Sequence, residues 1–78
     1  MMKNIIIPHQ GFTTQYVTLA KWYVRPGDVV KEGMPLFGIE SDKSAFDIES
    51  PCAGTIIDIL KPEGEEADIG EIVMVMEV

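Results

Sequence analysis

The sequence is poor in cysteine, in basic residues and in long apolar runs, and each shortage removes a class of protein. Cys52 is the single cysteine, so no disulfide can form within the chain and nothing points to an oxidising compartment. The expected setting is cytoplasmic or otherwise reducing. Six basic residues face thirteen acidic ones, for a net charge of −7. Such a surface repels phosphate backbones, which are held by clusters of lysine and arginine, so neither nucleic acid nor a membrane is an expected partner. A protein partner with a basic face would suit it, although acidic surfaces also serve solubility alone. No apolar run approaches the ~20 residues of a membrane span. Ile5-Ile6-Ile7 is cut short by Pro8 and reads as a strand, and the opening Met1-Met2-Lys3-Asn4 has no secretory pattern.

Constellations that carry chemistry are equally scarce. No paired acid and base, nucleophile–base pair or phosphate loop is visible, so the chain is not expected to be an enzyme in its own right. His9 has no cysteine or histidine near it, and no metal site is expected. No stretch sustains an apolar period of about 3.6 residues long enough for a stable helix.

What is present is a globular composition and a repeat. A hydrophobic content of 46% against 24% charged residues excludes a disordered tail, and 78 residues make one domain, near the lower size for unaided folding. Sliding the chain by 37 positions sets Thr18-Leu19-Ala20 on Thr55-Ile56-Ile57, Trp22-Tyr23 on Ile59-Leu60 and Gly27-Asp28 on Gly64-Glu65. The same offset sets Gly33 on Gly70, Leu36-Phe37 on Val73-Met74 and Ile39-Glu40 on Met76-Glu77. Upstream the offset becomes 43, with Ile5 on Ile48 and Pro8 on Pro51. The first half therefore holds six extra residues, a loop from about His9 to Val17.

Each half reads as short strands punctuated by glycine and proline. Val17 to Val24, Leu36 to Glu40, Ser44 to Ser50, Thr55 to Leu60 and Ile72 to Val78 are rich in β-branched, aromatic or apolar residues. Arg25-Pro26-Gly27-Asp28 and Lys61-Pro62-Glu63-Gly64 are expected to be matching turns. Two such halves, neither able to cover its own apolar face, predict an all-β fold: a flattened barrel-sandwich hybrid of two four-stranded antiparallel sheets with an internal pseudo-twofold repeat. Trp22, Phe37 and Phe46 lie inside strand patterns and are expected in its core, and Met74 and Met76 belong to one apolar strand and carry no metal-ligand signal. Cys52 reads as a small packing residue rather than a redox partner.

Between the halves, two strand-like arms flank the polar stretch Ser41-Asp42-Lys43-Ser44, which suits a tight hairpin turn. Under the offset of 43, Lys43 maps to just before Met1, where the other half has a free end. The hairpin is thus expected at one pole of the sandwich, with the termini near the other and Lys43 outermost. As a bare lysine it would be a solvated surface charge.

The whole chain resembles the biotinyl/lipoyl carrier family, and its centre resembles the lipoyl branch found in acyltransferase components of 2-oxo acid dehydrogenase complexes. Members of that branch carry Glu-Thr-Asp-Lys-Ala at the modified turn, and this chain has Glu40-Ser41-Asp42-Lys43-Ser44. Glycines sixteen residues before and eleven after the modified lysine are typical, and Gly27 and Gly54 fit as turn residues. Pro8, Gly11 and Trp22 also fall where similar domains have them. The biotinyl branch flanks its lysine with methionines, whereas Lys43 has Asp42 and Ser44.

The resemblance implies lipoic acid covalently attached to Lys43 by a lipoate ligase or lipoyl transferase. It also implies service to a 2-oxo acid decarboxylase, an acyltransferase core and dihydrolipoamide dehydrogenase, with the isolated domain monomeric. A lysine beside Asp42 and Glu40 is favoured in its charged form and makes a poor nucleophile, so the domain contributes presentation rather than catalysis. Glu40, Asp42 and Ser44 are expected recognition marks. So are Gln15 and Tyr16, in a loop where related domains often carry acidic residues and a glycine. Ser44 stands where alanine is usual. The alternatives are a biotinyl carrier, or an unmodified structural or adaptor module that would leave Lys43 an ordinary charge. The chain is expected to be either a free-standing carrier or an N-terminal piece of a longer acyltransferase subunit.

Overall fold

The computed structural model describes residues 1–9, 15–42 and 44–78; Lys43, Gly11 and most of the expected loop lie outside them. Eight strands make up the fold: β1 (Met2–Ile6), β2 (Tyr16–Trp22), β3 (Val29–Val30), β4 (Pro35–Glu40), β5 (Ala45–Glu49), β6 (Gly54–Ile59), β7 (Glu66–Asp68) and β8 (Ile72–Glu77). They form two four-stranded antiparallel sheets, β1-β8-β6-β3 and β5-β4-β2-β7, and neither closes on itself. No helix occurs among the described residues.

The repeat governs the register. Thr18↔Glu40, Leu19↔Ile39, Lys21↔Gly38 and Trp22↔Phe37 pair β2 with β4, with a bulge between Leu19 and Lys21. Adding 37 to each number gives Thr55↔Glu77, Ile56↔Met76, Asp58↔Val75 and Ile59↔Met74 in β6 and β8, with a bulge at the matching place. The loop bonds follow the same rule. Gly27 donates to Ile56 and Gly64 to Leu19, both at 2.7 Å. Gly27, Gly33, Gly64 and Gly70 all have φ between 87° and 96°, a conformation that glycine adopts without steric cost. They form two matched pairs of turns.

The halves do not each form one sheet. Each sheet takes two strands from each half, so the repeat is interwoven: either half alone would keep one central pair, β2 with β4 or β6 with β8, and leave its two outer strands without hydrogen-bonding neighbours. The core is shared in the same way: Leu19 and Ile56, Leu36 and Val73, Phe37 and Met74, Ile39 and Met76 are all buried at matching positions. Packing across the two inner faces excludes water from these side chains, and this apolar burial is the main force holding the sheets together.

Several sequence expectations need correction. β3 and β7, of two and three residues, had no readable pattern because so short a segment shows no alternation. Tyr16, expected in the loop, already belongs to β2, and Val17, read both as the loop's end and as the strand's start, follows it there; both pair with β7. The second turn spans Pro62 to Glu65, one residue later than expected, closed by the Glu65 amide on the Pro62 carbonyl at 3.3 Å. Gly54 is not in a turn. It opens β6, where β8 passes too close for a side chain: a Cβ would stand 2.5 Å from the Glu77 carbonyl oxygen. Phe37 is fully buried, but Phe46 is 41% exposed, because β5 is an edge strand and Phe46 lies one residue from its hairpin end. Trp22 is half-buried, tilted on Phe37 at 4.8 Å between ring centroids, and its Nε1–H donates to the Lys61 carbonyl at 2.8 Å. Cys52 packs against the core as expected.

Candidate functional site

The hairpin joining β4 to β5 connects the two halves. Glu40 pairs with Ala45 at its foot. One step further the Ser41 amide donates to the Ser44 carbonyl at 2.8 Å, and the Ser41 hydroxyl donates to the same oxygen at 3.4 Å. The counterpart of this closure is the bond from the Val78 amide to the Met1 carbonyl, also 2.8 Å. The hairpin thus occupies, in one half, the place where the chain ends meet in the other. Asp42 and Ser44 are exposed and Ser41 is half-buried. Lys43, the predicted attachment residue, lies outside the described residues; its neighbours on both sides face solvent.

Two grooves flank the hairpin. The first, of about 270 Å³, is lined by Tyr16, Val17, Thr18, Glu40, Ser41, Asp42 and Glu66. Thr18 pairs with Glu40 on one side and with Glu66 on the other, so β2 sets two carboxylates on either side of one threonine and Asp42 adds a third. Three of the expected recognition residues, Glu40, Asp42 and Tyr16, therefore meet in one place. Ser44 and Gln15 are not among its lining; the Gln15 carbonyl accepts the Ile69 amide at 2.9 Å. Glu66 was not foreseen, because β7 that carries it was not legible.

The second groove, of about 400 Å³, is lined by Ala20, Lys21, Tyr23, Gly38, Ile39, Glu40, Ala45, Phe46 and Asp47. The Tyr23 hydroxyl donates to Asp47 Oδ1 at 2.9 Å. That bond, with lesser help from desolvation and the Asp47 charge, pushes the phenol above its ordinary value, so it remains a donor through the neutral range. Lys21 Nζ stands 5.5 Å from the centre of the Tyr23 ring, a cation–π distance.

Among the described residues, no group of three His, Cys, Asp or Glu side chains could hold a metal ion. The residues around the hairpin suit a group held by covalent attachment instead. The turn is fastened at its neck, its flanking side chains are in water, and a groove opens at its foot.

The family model described as "Biotin-requiring enzyme" matches residues 3–76. A dihydrolipoyllysine-residue acetyltransferase component of the pyruvate dehydrogenase complex from Zymomonas mobilis is 48% identical over 97% of this chain and 18% of its own length. A dihydrolipoyllysine-residue succinyltransferase component of the 2-oxoglutarate dehydrogenase complex from Rickettsia bellii is 42% identical over 87% of this chain and 17% of its own. The solution structure of the lipoyl domain of the 2-oxoglutarate dehydrogenase complex from Azotobacter vinelandii superposes with a TM-score of 0.80 at 28% identity, covering 96% of this chain and 95% of that one.

With that fold, hairpin and match over nearly its full length, the chain belongs to the biotin/lipoyl attachment family, as a lipoyl-type carrier domain of the kind found in acyltransferase components. Its cofactor class is a covalently attached lipoyl or biotin group. The chain spans less than a fifth of the length of these two acyltransferase relatives.

Proposed function

We propose that Lys43 carries lipoic acid and that the domain delivers it among the enzymes of a 2-oxo acid dehydrogenase complex, as part of a dihydrolipoyllysine acyltransferase acting in the cytoplasm. The observation that carries the reading is the hairpin: Glu40-Ser41-Asp42-Lys43-Ser44 sits on a closed turn whose Asp42 and Ser44 face solvent. When bound, the lipoyl group supplies a disulfide that accepts electrons and an acyl group.

The chain's own residues hold and mark the turn. Ser41 and Ser44 fasten its neck, continuing the β4–β5 pairing one step beyond Glu40 and Ala45. Glu40, Asp42, Tyr16 and Glu66 offer a basic partner face a compact acidic surface, which speeds encounter and fixes orientation more than it adds affinity. On this reading the surface serves the lipoate ligase or lipoyl transferase first, then the 2-oxo acid decarboxylase, the acyltransferase core and dihydrolipoamide dehydrogenase. Ser44 and Gln15 add contacts at its margin. A tethered arm meets each active site as an intramolecular partner, at effective concentrations free lipoate does not reach. An open turn suits thiol–disulfide exchange better than a pocket does, because exchange depends on access to the attacked sulfur.

Coexpression with a lipoate ligase and lipoate, and separately with a biotin ligase and biotin, tests the reading by intact mass. A lipoyl gain in the first, none in the second, and none for Lys43→Ala is expected. A biotin gain would move the domain to the sister branch. No gain, or one that survives Lys43→Ala, would defeat the carrier reading.

A further inference from the structure

Two sheets that do not close leave strands at their ends, and an end strand offers backbone N–H and C=O groups to any chain that arrives. Among the described residues four strands stand at such ends: β1 and β3 in one sheet, β5 and β7 in the other. Three of them are blunted. β3 is two residues long. β7 has three residues and carries Glu66 and Asp68. β5 has five and carries Asp47 and Glu49. β1 also has five, Met2-Lys3-Asn4-Ile5-Ile6, yet it carries no carboxylate side chain, in a chain with thirteen acidic residues.

The repeat makes β5 the twin of β1, so the two edges can be compared position by position. At the offset of 43, Asn4 stands where β5 has Asp47, and Ile6 where it has Glu49. Lys3 and Ile5 pair with the buried Met76 and Met74 and so take the core-side face. Met2, Asn4 and Ile6 alternate with them and take the outer face. There Met2 is 56% exposed and Ile6 46%, and Ile6 lies opposite Ile72, itself 41% exposed. The twin strand guards its outer face with acids; β1 presents apolar side chains. On its unpaired side β1 borders a groove of about 530 Å³, whose walls include Lys3 and Ile5 from β1 and Asp47 and Glu49 from β5.

We infer that β1 is a strand-addition edge and that its occupant is β1 of a second copy of this chain, antiparallel and centred on Asn4. The resemblance implies a monomer; the open edge argues for a twofold pair, and it does so independently of attachment at Lys43. The register is self-complementary. Asn4 faces the partner's Asn4, Lys3 the partner's Ile5, and Met2 the partner's Ile6, so no like charges stand opposite one another. On the outer face Ile72, Ile6 and the partner's Met2 become one apolar row, and covering it removes exposed hydrophobic surface from water. The same operation on β5 would set Asp47 against Asp47, a destabilising pair. Charge favours the same occupant. Each copy brings Lys3 on its core-side face, and the groove that receives it is walled by Asp47 and Glu49. A twofold contact uses one edge from each copy and leaves neither β1 open, so assembly stops at two.

Sedimentation equilibrium over a concentration series, with amide hydrogen exchange measured at its dilute and concentrated ends, tests this on the whole chain. The average mass should rise from one chain to two, and exchange within Met2–Ile6 should slow as it does. Asn4→Asp and Ile6→Glu copy the twin strand at exposed positions, and each should hold the chain at one mass while circular dichroism shows the fold retained. Val29→Lys, on the β3 edge and 76% exposed, should dimerise as the unmutated chain does. A single chain mass at every concentration, a dimer that persists in either β1 variant, slowed exchange at β3, β5 or β7 instead, or growth beyond two chains would each overturn the inference.

Discussion

Gly54 passes so close to Glu77 that a β-carbon on it would stand 2.5 Å from the Glu77 carbonyl oxygen, with Met76 Cε at 2.8 Å and Val78 Cγ1 at 3.0 Å. The first obstacle is backbone in the middle of a sheet, which cannot swing aside as a side-chain end can. Gly54→Ala is expected to cost about 1–3 kcal/mol, the range for forcing a methyl group into a filled site. Thermal unfolding followed by circular dichroism should show Tm lowered by roughly 5–20 °C for a domain of this size. An unchanged Tm would mean that β6 and β8 separate without penalty.

Phe37 anchors the shared core. It is fully buried, stacks at a tilt on Trp22, and pairs with both β2 and β5. Phe37→Ala is expected to cost about 3–5 kcal/mol through lost transfer energy and a residual cavity. That is a large part of the ~5–15 kcal/mol that typically holds a domain folded. Urea titration read by Trp22 fluorescence should show a midpoint far below that of the unmutated chain.

The Glu71 carboxylate is held below its ordinary range, chiefly by the Asp68 amide, which donates to it at 2.9 Å, and next by Lys61 Nζ at 3.0 Å. Lys61 is raised by the same carboxylate. A carboxyl group lowered in the folded state contributes stability that is present above its unfolded value and is lost as pH falls through its folded one. The raised lysine contributes below its ordinary value and loses that contribution as pH rises through its folded one. Glu71→Gln is therefore expected to lower the urea midpoint slightly at neutral pH, the pair being partly exposed, and the deficit should shrink in acid as the native carboxylate protonates. A deficit that stays constant into acid would contradict this assignment.

Much of this was legible because the repeat is written in residues with strong local meaning. Gly27 and Gly33 recur as Gly64 and Gly70 at the offset of 37 and supply the turns, and the buried pairs Leu19/Ile56 and Leu36/Val73 follow the same spacing. The interweaving of the halves was not legible, because it depends on which strands pair at a distance. Phe46 was misplaced because alternation tells which face a residue takes but not whether the opposite sheet reaches far enough to cover it. Gly54 was read as a turn glycine because proximity of another backbone leaves no mark in local sequence. At the hairpin, Glu40 and Asp42 were readable from the motif, whereas Glu66, Tyr23 and Asp47 join the surroundings only through cross-strand register.

The central claim is that one lysine among five is singled out by its place on the hairpin. Fragment-ion mapping of the lipoylated chain tests it most directly. The account predicts the lipoyl adduct on Lys43 alone, with Lys3, Lys21, Lys31 and Lys61 unmodified. An adduct spread over those other lysines, or found on one of them instead, would contradict it.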